Sequence, residues 1–342
     1  MTSRLSRRLT ARNIGIRAAM LAMLLTGASA QAVVSDTGSY PALTDAAFLE
    51  GVARLSISRS DGSFGCSGSL LAGGTAVLTA AHCVTGNAGT ATASAITMSW
   101  LGGAVTATSR SYVVSPGWNG SLSAGNDIAV VLLNAPLLSV QGYQLAQGSA
   151  QGASIVLAGY GLTGNGTQGA SAGTFGTLHY GLNQYDATAS FYTATGFAAD
   201  RVAFFDFDNG LSSANVFGSG GFVQFESIVA SGDSGGPSFV LEEASDTWLI
   251  AGVHSFGACL MLNCTVDSRF GTLGGDVLAT RHAAWIEDVT TPVPEPHAWA
   301  LLLVGLGLVR WRALGMIPAA TLRRLTPYPA TAPRIVLPRN AR

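Results

Sequence analysis

Three observations lead this sequence to predict an all-β fold. Glycine supplies 43 of its 342 residues, and charged side chains make up only 11% against 48% hydrophobic. That balance suits a chain with many tight connections rather than long solvent-facing helices. Aromatic and β-branched residues also come in short runs separated by Gly, Ser, Asn and Thr. Such runs read as strands joined by turns. The length allows one large domain or two modest ones.

The elements follow in order from the N-terminus. Arg4, Arg7, Arg8, Arg12 and Arg17 precede the apolar run Ala18–Leu25 and then TGASAQA. A basic segment, a short apolar segment and a small-residue cleavage site predict an export signal over residues 1–32, cut after Ala30 or after Ala32. The strand-rich body is expected over 33–290. All 18 basic residues of the chain are arginine, and only six of them lie between Val33 and Thr291, against eighteen acids. The body's balance of −12 excludes nucleic acid as a partner and suits a solvated exported protein.

Past the body, TPVPEP at Thr291–Pro296 reads as a stiff linker over 291–297. An apolar segment over 298–312 follows, ending in the basic RWR of Arg310–Arg312. Its apolar stretch from Ala298 to Val309 is only 12 residues long, short for a bilayer crossing. The stretch 313–342, with five prolines, is expected to be a disordered basic tail. VPEP, an apolar run and an arginine cluster together resemble the PEP-CTERM sorting signal of Gram-negative bacteria. The resemblance implies a secreted, cell-surface or periplasmic location, transient membrane association through the apolar segment, and an exosortase-type processing enzyme as partner. It departs in one respect, since that signal normally ends at the arginines. A plain membrane anchor is the alternative.

Three stretches carry chemistry. SGDSGGP, Ser231–Pro237, places a serine in a turn whose glycines let backbone approach a substrate, with consecutive N–H groups able to converge on one oxygen. A serine hydroxyl needs a base to take its proton and donors to hold the resulting oxyanion. TAAHC, Thr79–Cys83, offers a histidine after the apolar TAVL. NDIAVVLL, from Asn126, runs an acid into a buried strand, where an ionised carboxylate is costly unless hydrogen-bonded. An imidazole N–H would satisfy it and be oriented in return.

Taken together, these stretches resemble the trypsin/chymotrypsin family of serine peptidases. SPGWN before Asp127, LAGYGLTG at Leu157–Gly164, VHSFG at Val253–Gly257 and the Trp285–Ile286 pair extend the likeness over roughly Gly51 to Val289. The resemblance implies two antiparallel six-stranded β-barrels with a C-terminal helix, and an endopeptidase acting on polypeptide substrates with no cofactor and no metal. Residue by residue, it makes Ser234 the nucleophile, His82 the general base and then acid, and Asp127 the group that orients the imidazole. The N–H groups of Gly232 and Ser234 become the oxyanion hole. Substrate contacts fall on Ile228, Ser231, Ser255, Phe256 and Gly257. Activity is expected to fade below about pH 6.5, where a typical histidine protonates. The rival class is a peptidase-like surface protein that binds without cutting.

Four cysteines in an exported chain suggest two disulfides with three pairings open. The resemblance implies Cys66–Cys83. The family's partner for Cys259 is replaced by Ala230, so Cys259–Cys264 is the expected second bridge. Ile228 stands at the pocket base, where no acid would meet a basic side chain, so a small or apolar residue is expected before the scissile bond. No IVGG-type activation site appears; cleavage after Ala32 would instead expose Val33-Val34 as the N-terminus that pairs with Asp233. DFDNG, Asp206–Gly210, hints at a calcium loop but lacks a carboxylate at its twelfth position, Phe217, and reads as a hairpin turn. His179, His254 and His282 are assigned structural roles.

Overall fold

Alternation of apolar and polar residues governs the first half of the body. In Val52–Arg59 the inward set Ala53, Leu55 and Ile57 is buried while Ser56 and Ser58 are exposed, the two-residue period of a half-buried strand. The computed structural model describes residues 33–42, 46–187, 189–218, 225–260, 265–291 and 296–313. A short strand β1 (Val34–Ser35) precedes the first barrel, which is built from β2 (Val52–Arg59), β3 (Gly62–Leu70) and β4 (Ala76–Thr79), then the five-residue helix α1 (Ala81–Thr85), then β5 (Ala93–Trp100), β6 (Val105–Val114) and β7 (Ala129–Leu133). These six strands close in the order β2-β3-β4-β7-β6-β5. Closure leaves no sheet edge unpaired. Leu55, Leu70, Leu78, Met98 and Trp100 fill the interior, each worth roughly 1.5–3 kcal/mol when fully buried. The Trp100 indole N–H donates to Gly51 O at 3.2 Å.

The second half supplies β8 (Ser154–Gly159), the short β9 (Gly164–Asn165) and β10 (Gly169–Ala170), then β11 (His179–Gln184), helix α2 (Ala189–Thr195), β12 (Val202–Asp206), β13 (Ser227–Ile228), β14 (Pro237–Glu242), β15 (Thr247–Cys259), β16 (Thr272–Leu278) and helix α3 (Ala283–Thr290). Six of these strands form an antiparallel sheet ordered β11-β8-β14-β15-β16-β12, a half-barrel. The fold is therefore all-β with two six-stranded halves, one closed. A single apolar cluster spans both halves: Leu55, Val77 and Val130 of the first lie in it with Val156, Phe239 and Val253 of the second and Ile286 of α3. That shared core fixes one half against the other.

DFDNG does not form a hairpin. Its strand, β12, pairs with β16, and the next strand, β13, pairs with β1. The two aspartates instead take backbone donors of the loop itself. Asp206 Oδ2 accepts from Val216 N at 2.6 Å and Phe217 N at 3.1 Å, and Asp208 Oδ1 accepts from Gly210 N at 2.6 Å. Short acidic side chains capping local N–H groups favour a loop over a ladder.

Residues from Thr291 onward form a separate compact unit. Within it, helix α4 (Pro296–Ala313) begins inside the expected linker, since a proline is well suited to a first helical turn. Among the described residues no helix is long and apolar enough to cross a membrane. The expected signal segment, residues 1–32, and the tail beyond 313 lie outside the described residues.

Candidate active site

The three chemistry-bearing stretches come from different elements of both halves. β4 is buried along its length and delivers the chain into α1, whose second residue is His82. Asp127 lies just ahead of β7 and is wholly buried. Its carboxylate engages the histidine twice, accepting the His82 backbone N–H on Oδ1 at 2.8 Å and facing His82 Nδ1 with Oδ2 at 2.7 Å. A third donor, Ser255 Oγ, reaches Oδ2 at 2.5 Å. An acceptor-only carboxylate in that place assigns the ring proton to Nδ1 and leaves Nε2 as the acceptor of a neutral imidazole.

Several groups hold α1 in place. Arg59 Nη1 donates to the carbonyls of His82 and Cys83 at 2.8 and 2.9 Å, while its other edge grips Asp61 at 2.8 and 3.0 Å. Trp118 Nε1 donates to Thr85 Oγ1 at 2.8 Å. The Cys66–Cys83 disulfide ties α1 to β3. Cys259 is disulfide-bonded as well; its expected partner, Cys264, lies outside the described residues.

The serine turn rests on the same elements. Ser67, next to Cys66, donates its backbone N–H to Ser234 O at 2.9 Å and its hydroxyl to Gly232 O at 2.9 Å. Gly232 and Gly235 take φ of +104° and +84°, a region that glycine enters without strain. Gly235 also has no room for a side chain: a Cβ there would lie 2.0 Å from Thr79 Oγ1 and 2.8 Å from Ala80 N. The turn thus packs on the two residues that precede α1. On its other side Gly235 N donates to His254 O at 2.8 Å and His254 N donates to Gly236 O at 2.9 Å.

Within this turn the N–H groups of Gly232 and Ser234 have no acceptor among the described residues, whereas Asp233 N and Gly236 N both do. Two free donors flanking the serine are the arrangement that can hold an oxyanion. Ser234 and His82 are nearly buried, at 4% and 7% exposure. Their side chains make no direct hydrogen bond to each other among the described residues. Asp233 is fully buried and its carboxyl is pushed up to about 7 by burial, against the opposing effects of His254, Gly161 N–H and Val33 N–H.

With this geometry in place, comparison with known proteins decides the family. Residues 50–273 match the family described as Trypsin. The chain belongs to the trypsin family. A solved structure of HL collagenase shares its fold at 19% identity and a TM-score of 0.50, over 76% of this chain and 99% of that one. No curated protein matches.

The expected pocket residues of this trypsin-family chain have differing surroundings. Ile228 is buried in an apolar cluster with Val34, Leu157 and Phe207. Phe256 is buried against Phe197 and Phe204, at ring-centroid distances of 5.5 Å for each. Ser231 is half-buried and accepts Leu162 N on its carbonyl at 3.0 Å. Gly257 is half-buried beside Val266. Ser255 faces Asp127. Among the described residues no group of three metal-ligating side chains gathers.

Of the three histidines assigned structural roles, two have local partners. His179 lies tilted against Tyr40, with ring centroids 4.4 Å apart. His282 Nε2 meets Gly125 O at 2.8 Å, and burial holds its pKa below the ordinary value. His254 is different, since it pairs with Asp276 behind the serine turn at 2.9 Å. Nothing in the sequence around Asp276, set in GTLGGDVL, marks it as a partner.

Proposed function

We propose that this chain is an exported serine endopeptidase in which Ser234, His82 and Asp127 act as the catalytic triad. One observation carries the reading: the buried Asp127 carboxylate faces the His82 imidazole with one oxygen and holds the His82 backbone N–H with the other, while the Ser234 turn is anchored to Ser67 of β3 and packed on Thr79 and Ala80, just before His82. His82 Nε2 takes the proton as Ser234 Oγ attacks the peptide carbonyl. Asp127 stabilises the imidazolium that forms and stays ionised itself. The tetrahedral oxyanion is received by Gly232 N–H and Ser234 N–H, each such donor being worth roughly 3 kcal/mol of barrier. The proton then passes from His82 to the leaving amine, and water, activated by the same base, releases the acyl group from Ser234.

The N-terminus fits the same reading. Val33 and Val34 are buried, β1 pairs with both β13 and β9, and the Val33 N–H is among the influences that oppose the upward effect of burial on Asp233. Cleavage after Ala32 would turn that N–H into a charged amine facing the acid next to the nucleophile, so removal of the export signal completes the enzyme. Ile228 is apolar and offers no counter-charge at the pocket base, which favours a small or apolar residue before the scissile bond. The tail segment is read as the sorting signal of a cell-surface or periplasmic enzyme, processed by an exosortase-type partner.

A fluorophosphonate probe tests the core of this. Folded protein labels on one serine, and Ser234→Ala abolishes the labelling; folded protein that never labels would instead be a binding module. N-terminal sequencing checks maturation, where a start at Gln31 or well beyond Val34 counts against Val33 as the working N-terminus.

A further inference from the structure

The segment that carries Asp127 is gripped by two side chains that the proposed mechanism leaves unused. Ile128 N donates to Asn126 O at 2.8 Å, so the acid is the middle residue of a three-residue turn. Ser115 N donates to Ile128 O at 3.0 Å, and β7 begins at the next residue. In so short a turn the direction of the Asp127 side chain follows the placing of Asn126.

That placing comes from the second half. Arg201, the residue before β12, sends Nη1 to Asn126 Oδ1 at 2.9 Å. His282, the residue before α3, meets Gly125 O with Nε2 at 2.8 Å. A ring nitrogen facing a carbonyl carries the proton, so His282 is the donor. Gly125 and Asn126 are both buried, where oxygen acceptors need such partners.

Close packing reinforces the two bonds. Gly125 has φ +64°, and a Cβ on it would lie 2.5 Å from Arg201 Cβ and 3.0 Å from Val202 Cγ2. A Cβ on Gly117 would lie 2.6 Å from Asn126 Nδ2. The amide is therefore fitted between Gly117 and Arg201. The backbone of Arg201 is itself fixed, its N–H donating to Ala198 O at 2.9 Å and its carbonyl accepting from Leu278 N of β16 at 2.7 Å. Ala198 N donates to Ser123 O at 3.0 Å, and Leu122 packs on the apolar cluster of Val202, Phe204 and Phe256.

We propose that Arg201 and His282 are positioning residues for Asp127: they clamp Gly125 and Asn126 to the second half and so fix the carboxylate that orients His82. This rests on the reading of Ser234, His82 and Asp127 as a triad. Ser234 belongs to the second half and Asp127 to the first, so a clamp from Arg201 and His282 holds the acid in place against the body that carries the nucleophile. The Ser255 contact ends on the carboxylate; this one acts through the backbone before it. Without the guanidinium, the Asn126 amide is held from one side and the turn can rotate. The carboxylate then leaves His82 Nδ1, and proton transfer from Ser234 slows while the surfaces that bind substrate stay as they are.

The test uses the exported chain in four forms: parent, Arg201→Met, His282→Phe and His282→Gln. The readouts are fluorophosphonate labelling rate, peptide-ester kcat and KM, and the His82 Nδ1 proton in imidazole ¹H–¹⁵N spectra. Arg201→Met and His282→Phe should each lower kcat and the labelling rate by roughly ten- to hundredfold, the cost of a displacement of about 1 Å, with KM within about twofold. In both, the His82 Nδ1 proton should shift and exchange faster with water. His282→Gln, whose amide N–H can meet Gly125 O, should recover most of the rate that His282→Phe loses. Arg201 is exposed, so Arg201→Met should fold even if the buried His282 variants do not. An unchanged kcat in Arg201→Met overturns the proposal, and so does a slower Arg201→Met whose His82 proton is unmoved, since lost stability alone lowers the urea midpoint without moving that proton. A parent that never labels, yet whose His82 proton moves in Arg201→Met, refutes the peptidase reading and supports the clamp.

Discussion

Replacing Gly235 with alanine tests how Ser234 is placed. The residue sits at φ +84° with its missing Cβ aimed at Thr79 Oγ1, Ser67 O and Ala80 N, at 2.0, 2.5 and 2.8 Å. Alanine in the left-handed region costs about 1–2 kcal/mol. Three contacts of that closeness, two of them to backbone, cannot be relieved by a rotamer change, and overpacking adds about 1–3 kcal/mol. The sum, roughly 2–5 kcal/mol, is a large share of the 5–15 kcal/mol typical of a folded domain. What does relax is the turn, which moves away from the residues preceding His82. A displacement of about 1 Å commonly costs a hundredfold in rate. Gly148→Ala is the control, since Gly148 has φ +83° but open space around its Cβ site. The assays are the urea midpoint and the fluorophosphonate labelling rate. Gly235→Ala should lower both, and Gly148→Ala should lower only the midpoint, by about 1 kcal/mol. If the two variants behave alike, close packing at Gly235 does not position Ser234, and the reasoning is wrong.

Asp127→Asn keeps the shape of the site but can offer an N–H to His82 Nδ1, favouring the wrong tautomer; kcat should fall by roughly three to four orders of magnitude with little change in KM. Removing the Cys66–Cys83 bridge, which spans 17 residues, should cost about 3 kcal/mol in urea unfolding. Glu226 is raised from 4.5 to about 8, first by burial and then by the charges of Asp208, Asp206 and Asp186, with Asp208 N–H opposing. The folded chain therefore holds a proton that the unfolded chain releases above pH 4.5. Stability should be greatest below that value and decline by up to a few kcal/mol as pH rises through about 8. Glu226→Gln should flatten this decline in a Tm-versus-pH series; an unchanged slope would place the proton elsewhere.

The three chemistry-bearing stretches were legible because each is local. A turn of small residues around Ser234, a histidine after a buried strand and an acid before another declare themselves within seven or eight letters, and the half of the structure that follows from strand period and turn residues is local in the same sense. What the sequence hides depends on pairing between distant strands. His254 and Asp276 are 22 residues apart and face each other only because β15 and β16 are in that register. Ser255 bonds Asp127 across 128 residues. DFDNG was misread as a hairpin for a related reason: its composition suits a turn, but where its strand pairs is decided by β16.

β15 explains why adjacent residues can serve different acids. In a regular strand His254 and Ser255 would project from opposite faces and only one would meet the sheet interior. The ladder with β16 slips between His254 and Phe256, leaving Ser255 opposite no partner. An unpaired residue of that kind bends its strand and re-aims its side chain. Here the bend sends Ser255 Oγ to the buried Asp127 while His254 stays on Asp276 behind the turn, and the backbone of His254 meanwhile binds Gly235 and Gly236. Both ends of the proposed triad are thereby tied to one dipeptide. A change that restored regular pairing there, such as deletion of Ser255, would pull His254 and Asp127 out of register together. Loss of the Asp127 contact and of the Asp276 contact should then appear as one event in the imidazole spectra, with the His82 and His254 signals shifting in concert. Independent shifts would show that the bulge does not couple them.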